Sequence, residues 1–123
     1  MYDKKNIFAQ IIKGDIPCDK VYEDKEVLAF KDVNPAAKTH VLVVPKGNYI
    51  SFQDFVEKAG DKKVASFFKT AGKIAKKLKV TDKGYRLITN HGKHALQTVP
   101  HFHVHILAGG PLGGLLQGDK EKR

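Results

Sequence analysis

Histidine and apolar residues alternate strictly along residues 101–107, which read His-Phe-His-Val-His-Ile-Leu. A β-strand has a side-chain period of two, so this run predicts a strand with three imidazoles on one face. Phe102, Val104 and Ile106 then point to the opposite face, where we expect the hydrophobic core. Same-face neighbours lie roughly 6–7 Å apart along a strand, close enough for two or three imidazoles to act on one phosphate-sized group. Because the ordinary pKa of histidine lies near neutrality, these rings can serve as nucleophile, acid or base.

Two interpretations of this run are open from spacing alone. His-x-His on a strand is also a metal-binding spacing, so His101, His103 and His105 could be the ligands of a metallohydrolase. Alternatively, the imidazoles act directly on a substrate without a metal ion. The chain lacks an evident partner carboxylate at ligand spacing, which favours the metal-free interpretation.

The remaining hydrophobic pattern predicts one α+β unit. Apolar residues at positions 7, 8, 11 and 12 repeat at helical spacing and stop at Gly14, which predicts a short N-terminal helix. Positions 64–78 follow the pattern of one long amphipathic helix, with Asp61 as its N-cap. Strands are predicted at 21–22, 27–30, 41–44 and 85–89, before the histidine run. Together they predict an antiparallel sheet of about five strands with the long helix packed against it.

Composition limits the partners that we expect. The net charge of +9 comes from 22 basic against 13 acidic residues. The lysines are spread along the chain without interleaved aromatic residues, so we expect a solvated basic surface and no nucleic-acid partner. No apolar run approaches eighteen residues, and the N-terminal segment is amphipathic, so we expect neither a membrane span nor a signal peptide. The single cysteine, Cys18, cannot form an internal disulfide, which favours a cytoplasmic location.

Together with the segments that precede it, the histidine run resembles the histidine-triad family of nucleotide hydrolases and transferases. The similar segments, in family order, are residues 7–17, 29–35, 39–46, 84–90 and 97–107. The exit Leu107-Ala108-Gly109-Gly110 is most similar to that of the histidine-triad nucleotide-binding proteins, which are purine nucleoside phosphoramidases. The resemblance implies a domain of this family at residues 1–110, with a C-terminal tail at 111–123 that has no clear counterpart.

The resemblance also implies roles for the histidines. His103 would be the nucleophile that forms a nucleotidyl-histidine intermediate, and His105 would contact the phosphoryl or leaving group. His101 would orient the His103 ring through its backbone carbonyl, and His40 would complete the imidazole cluster. No metal or other cofactor is required by this chemistry. A structural zinc ion, which some members carry, is not expected because Asn48 stands where their histidine would be and Cys18 is the only cysteine.

Substrate-binding residues follow from the same resemblance. Asp32 matches an acidic residue that accepts hydrogen bonds from both ribose hydroxyls. The apolar pocket for the base would be formed by Ile7, Phe8, Ile11, Phe30 and Val33. The phosphate would be bound by polar residues of the loop before the triad, Asn90, Gln97 and Thr98.

The implied activity is hydrolysis of the P–N bond of purine nucleoside 5′-monophosphoramidates, such as AMP-amine or lysyl-AMP-like adducts. The family is typically homodimeric, so the implied partners are a purine nucleotide substrate and a second copy of the chain. Two alternatives remain: a dinucleoside polyphosphate hydrolase, or a non-catalytic nucleotide-binding regulatory protein. Salt-dependent RNA binding that survives loss of His103 would favour a regulatory protein.

Overall fold

A computed structural model describes residues 1–120. Its elements are α1 Ile7–Lys13, β1 Lys20–Glu23, β2 Val27–Lys31, β3 Thr39–Pro45, α2 Phe52–Lys58, α3 Asp61–Lys77, β4 Arg86–Ile88, a 3-10 helix Lys93–Ala95 and β5 Val104–Ala108. The five strands form one antiparallel sheet in the order β1-β2-β3-β5-β4. The predicted α+β fold is therefore confirmed. No helix within residues 1–120 is long and apolar enough to cross a membrane.

One face of the sheet packs against α2 and α3. Alternate residues of the strands, including Val43, Val104 and Ile106, meet Phe55 of α2 and Phe67 of α3 in a core cluster. This arrangement follows from the alternation in β5 and from the apolar stripe of α3. The placement of Phe102, Val104 and Ile106 in the core agrees with the prediction.

The opposite face of the sheet carries a smaller cluster beneath α1. Phe8 of α1 packs there against Leu28, Phe30, Leu42 and Val44. The helix begins after Asn6, whose side chain accepts a hydrogen bond from the Ala9 N–H group. It ends at Gly14, where φ is 90°, a left-handed conformation that glycine adopts without strain. The predicted N-terminal helix and its glycine stop are thus confirmed.

Two local predictions differ from the structure, and one helix was not predicted. The ladder of β5 begins at Val104 rather than at residue 101, because the Phe102 N–H donates to Tyr49 O instead of to a neighbouring strand. The N-cap of α3 is Gly60, and Asp61 is the first helical residue. The helix that was not predicted is α2, which Ser51 caps by accepting a hydrogen bond from the Asp54 N–H.

Beyond β5, residues 111–120 form neither helix nor strand. The Arg86 guanidinium of β4 donates hydrogen bonds to the carbonyl oxygens of Gly113 and Gly114, at 3.0 and 3.2 Å. The start of the tail is therefore attached to the β4 edge of the sheet.

Candidate active site

The register of the sheet brings His40 and His105 together. Leu42 pairs with His105 across β3 and β5, and His40 pairs with Leu107. Because residues two apart share a face, His40 and His105 are diagonal neighbours on the face that carries α1. The distance between His40 Nε2 and His105 Nδ1 is 2.8 Å. The sheet itself therefore holds this pair of imidazoles.

The His103 ring is oriented by the backbone of His101. His103 Nδ1 lies 2.7 Å from His101 O, and a carbonyl oxygen can only accept, so Nδ1 carries the proton. In a neutral ring the lone pair is then on Nε2. Burial lowers the pKa of His103, although the His101 hydrogen bond and Asp32 partly oppose this shift. His103 is thus a neutral imidazole with a nucleophilic Nε2 at neutral pH.

His40 forms a hydrogen bond with His105 and lies beside the Asp32 carboxylate. The Ala36 N–H donates to His40 Nδ1 at 3.0 Å, so the proton of a neutral His40 is on Nε2, which donates to His105 Nδ1. Asp32 Oδ2 lies 3.4 Å from the same His40 Nε2. This order leaves the proton of His105 on its Nε2, from which it can donate a hydrogen bond to a substrate. Burial, reinforced by repulsion from His103 and His40, lowers the pKa of His105 to about 4.

The first triad histidine has a different environment. His101 is fully buried, with 0% of its surface exposed, and its Nε2 lies 2.7 Å from Pro45 O. Burial lowers the pKa of His101 to about 4. The His101 and Phe8 rings meet edge-on with their centroids 6.4 Å apart, so the His101 side chain packs under the helix residue that borders the site. It is not among the residues that line the cavity described next.

A cavity of about 350 Å³ opens beside His103 and His105. Of the residues assigned to the nucleoside, Ile7, Phe8, Ile11, Phe30, Val33 and Asp32 all line it. Phe8 also meets the His103 ring edge-on at 4.8 Å. Asp32 is held at the mouth of this cavity by the Asn34 N–H, which donates to Oδ1 at 2.8 Å. The structure therefore joins the apolar pocket and the imidazoles in one site.

The phosphate-loop residues divide into two groups. Thr98 lines the cavity, whereas Gln97 and Asn90 are not among its lining residues. The Gln97 amide donates to Ile50 O and Val99 O, and its oxygen accepts from the Gly92 N–H. These bonds use both amide hydrogens of Gln97 and shape the loop, and the phosphate contact that the resemblance implied for Gln97 stays a prediction.

Sequence reasoning missed several residues of the cavity wall. These are Ile16, Pro17, Cys18, Lys31, Asn34, Leu42 and Val99. Leu42 could have been found, since it lies two residues after His40 on the same strand and therefore on the same face. Residues 16–18 lie in the connection after α1, where no periodic pattern marks their direction.

Possible metal ligands within residues 1–120 differ from those of the metallohydrolase interpretation. Ligand atoms of Asp32, His40 and His105 lie within 4.8 Å of one another. However, His40 Nδ1 accepts from a backbone N–H, which puts the proton on the Nε2 that would have to bind the ion. In the triad itself, His103 Nδ1 is engaged with His101 O. In this tautomer, the His40 nitrogen that faces Asp32 and His105 carries a proton and has no lone pair for a metal ion.

Acid is expected to destabilise the protein through its buried histidines. His101 and His105 have pKa values of about 4 in the fold against an ordinary 6.5. Between these values the unfolded chain binds protons that the folded chain excludes, so stability is present above pH 6.5 and falls towards pH 4. Each group contributes at most about 1.4 kcal/mol per pH unit. Urea unfolding at pH 7 and pH 5 measures this loss, and His105→Asn should reduce it. An equal free energy of unfolding at both pH values would contradict the expectation.

Comparisons with known proteins agree with this geometry. The HIT domain model matches residues 13–112. The chain is 44% identical over 115 residues to an uncharacterized 13.2 kDa HIT-like protein of Azospirillum brasilense, covering 94% of each. It is 39% identical over 113 residues to a purine nucleoside phosphoramidase of Escherichia coli K12, covering 92% of this chain and 94% of that protein. A solved histidine triad protein from Clostridium difficile matches with a TM-score of 0.82 at 44% identity, covering 93% of this chain and 98% of that one. The chain therefore belongs to the HIT domain family.

Proposed function

We propose that the protein hydrolyses the P–N bond of purine nucleoside 5′-monophosphoramidates. The observation that carries this proposal is the His103 ring, whose Nδ1–H is bound to His101 O so that Nε2 is free to attack at the cavity. Membership of the HIT domain family supports a hydrolase or nucleotidyl-transferase role, and one relative is a purine nucleoside phosphoramidase.

The chemistry proceeds in two steps. His103 Nε2 attacks the phosphorus of a phosphoramidate whose bridging nitrogen is protonated, the P–N bond breaks with its electron pair passing to that nitrogen, and the neutral amine departs. The hydrogen bond from His40 Nε2–H to His105 Nδ1 keeps the proton of neutral His105 on Nε2, which donates a hydrogen bond to the phosphoryl or departing group. Water then attacks phosphorus and gives up a proton to solvent, the bond from phosphorus to His103 Nε2 breaks, and the nucleoside monophosphate and neutral His103 are released.

The cavity accounts for the nucleoside part of the substrate. Phe8, Phe30 and Ile11 provide apolar walls for a flat base, and Phe8 and Phe30 meet edge-on at 5.6 Å. Asp32 offers carboxylate oxygens that can accept hydrogen bonds from two ribose hydroxyls. The Thr98 hydroxyl is available for the phosphate or for the departing amine.

Release of AMP from adenosine 5′-phosphoramidate tests the proposal. We expect turnover that is unaffected by EDTA, and slower turnover of a dinucleoside polyphosphate under the same conditions. Loss of turnover in EDTA, restored by added divalent metal, would move the reaction to the Asp32, His40 and His105 cluster. A wild-type protein that binds AMP without turning over either substrate would be a nucleotide-binding regulatory protein instead.

We also propose that the protein is a homodimer that joins at β4. Within residues 1–120, β4 is an edge strand that pairs only with β5. Leu87 pairs with Ile106 and so shares the face of α3, yet it is 44% exposed. Phe68 of α3 is also partly exposed. An apolar edge of this kind is typical of an interface.

Analytical ultracentrifugation measures whether the protein is a monomer or a dimer in solution. We expect a dimer for the wild type and a monomer for Leu87→Lys, because a lysine at the edge strand opposes pairing. Leu116→Lys is the matched control, since Leu116 lies in the exposed tail. A wild-type monomer, or a Leu87→Lys dimer of unchanged affinity, would contradict this assembly.

A further inference from the structure

The Tyr2 hydroxyl reaches the buried side of the triad. Tyr2 Oη lies 2.5 Å from His101 Nδ1, and the two rings meet edge-on at 5.6 Å. On the other side of the ring, His101 Nε2 lies 2.7 Å from Pro45 O. Because a carbonyl oxygen can only accept, His101 carries its proton on Nε2 and accepts the Tyr2 hydroxyl at Nδ1. Both nitrogens of this buried ring are therefore held.

A folded N-terminal turn keeps Tyr2 in this place. The Asn6 backbone N–H and side-chain amide both donate to Asp3 O, and the Lys5 N–H donates to Asp3 Oδ1. Asn6 is also the N-cap of α1, so the turn continues directly into the helix that covers the histidines. Burial raises the pKa of Tyr2, with Asp3 adding to the shift and the Asn6 side chain opposing it, so the hydroxyl keeps its proton at neutral pH.

The position of His101 matters because the nucleophile depends on it. His103 Nδ1 donates to His101 O, and this bond decides which nitrogen of His103 is free. Residues 101–103 lie before the β5 ladder, which begins at Val104, so strand pairing does not fix this carbonyl. The backbone is held there by the bonds His101 N–H to Val99 O and Phe102 N–H to Tyr49 O. The hydrogen bonds of the His101 ring to Tyr2 and Pro45 fix the side chain of the same residue.

We propose that Tyr2 is a positioning residue that, through His101, keeps the His103 ring in the orientation and tautomer required for attack. The expected change in kcat rests on the proposed function, whereas the expected change in the His103 tautomer does not. Without the hydroxyl, His101 Nδ1 is buried without a partner, so the His101 ring can turn over or move its proton. The carbonyl moves with the residue, and a fraction of His103 then carries its proton on Nε2, where it cannot attack phosphorus.

The Tyr2→Phe variant tests this role, because it removes the hydroxyl and keeps the ring that packs on His101. We expect kcat to fall about tenfold while KM stays within about twofold, since a small misplacement of a reacting group lowers the rate without touching the substrate. Tyr22→Phe is the matched control, since Tyr22 also loses a hydroxyl bond, at 2.7 Å to Asp24, on the distant strand β1. It should keep the wild-type kcat.

A second measurement does not depend on activity. The ¹⁵N chemical shifts of the histidine rings report which nitrogen carries the proton. In the wild type we expect the proton of His101 on Nε2 and the proton of His103 on Nδ1. In Tyr2→Phe we expect the His103 signals to shift towards a mixture of tautomers, with Tyr22→Phe unchanged. Unchanged His103 tautomers with unchanged kcat would overturn the proposal. A lower kcat that is explained by a smaller folded fraction would also overturn it. If the wild type lacks turnover while the tautomers shift as expected, the proposed function fails and the positioning role stands.

Discussion

Replacement of His103 by alanine is expected to lower kcat for AMP release by at least about a thousandfold, because the variant lacks the atom that attacks phosphorus. Binding of AMP should persist, since the apolar walls and Asp32 remain. The neighbouring bond from His103 Nδ1 to His101 O is lost, but His101 keeps its own ring contacts. Initial rates and AMP affinity, measured on the same preparations, separate the two effects.

His94→Ala is the matched control, because His94 is an exposed histidine of the 3-10 helix and does not line the cavity. Its rate should stay within about twofold of the wild type, as expected for a surface substitution. The covalent intermediate gives an independent check: a rapid alkaline quench of the wild type, followed by mass spectrometry, should show a nucleotidyl adduct on His103. Substantial turnover by His103→Ala would assign the attack to water or to another residue.

Phe102→Ala is expected to lower the free energy of unfolding by about 3–5 kcal/mol. Phe102 is 1% exposed, stacks on Phe55 at 4.7 Å and lies 5.2 Å from Phe67. Its ring thus joins the segment that carries His101 and His103 to both α2 and α3. Because natural domains have only about 5–15 kcal/mol of stability, this substitution removes a large share.

Urea unfolding measures the loss. Phe102→Leu keeps most of the apolar volume and should cost only about 1 kcal/mol. Leu116→Ala truncates a side chain that is 76% exposed and should change stability by less than about 0.5 kcal/mol. A loss below about 1 kcal/mol for Phe102→Ala would show that the aromatic cluster repacks without this ring.

The hydrophobic pattern predicted the main elements because it reflects how each of them is buried. The helix containing Phe67 and Ile74 buries one side and shows helical periodicity, whereas the strand containing Val41 to Val44 is buried on both faces and shows a continuous apolar run. Helix α2 was missed because only Phe52, Phe55 and Val56 repeat there at helical spacing, whereas α1, which has the same length, has four such residues. The extent of the triad strand was overestimated because the Phe102 N–H bonds to Tyr49, in a distant loop.

The site was predictable in its members and less so in its arrangement. The histidines, Asp32 and the apolar wall were assigned by their resemblance to a family. The structure brings them to one cavity, except that His101 lies beneath it and His40 contacts its His105 without lining it. The proton positions depend on contacts such as Tyr2 with His101, which are 99 residues apart in sequence. No local pattern encodes such a contact. The same holds for Gln97, whose amide is occupied by Ile50, 47 residues away.

The strand order also sets when the site can exist during synthesis. β5 is the last strand in the sequence but lies between β3 and β4 in the sheet. While the chain is still emerging from the ribosome, β3 and β4 have no strand between them, and His40 has no His105 to meet. Since the middle strand arrives last, completion of the sheet and assembly of the imidazole cluster are one event. A nascent chain that still lacks β5 therefore also lacks the contact between His40 and His105.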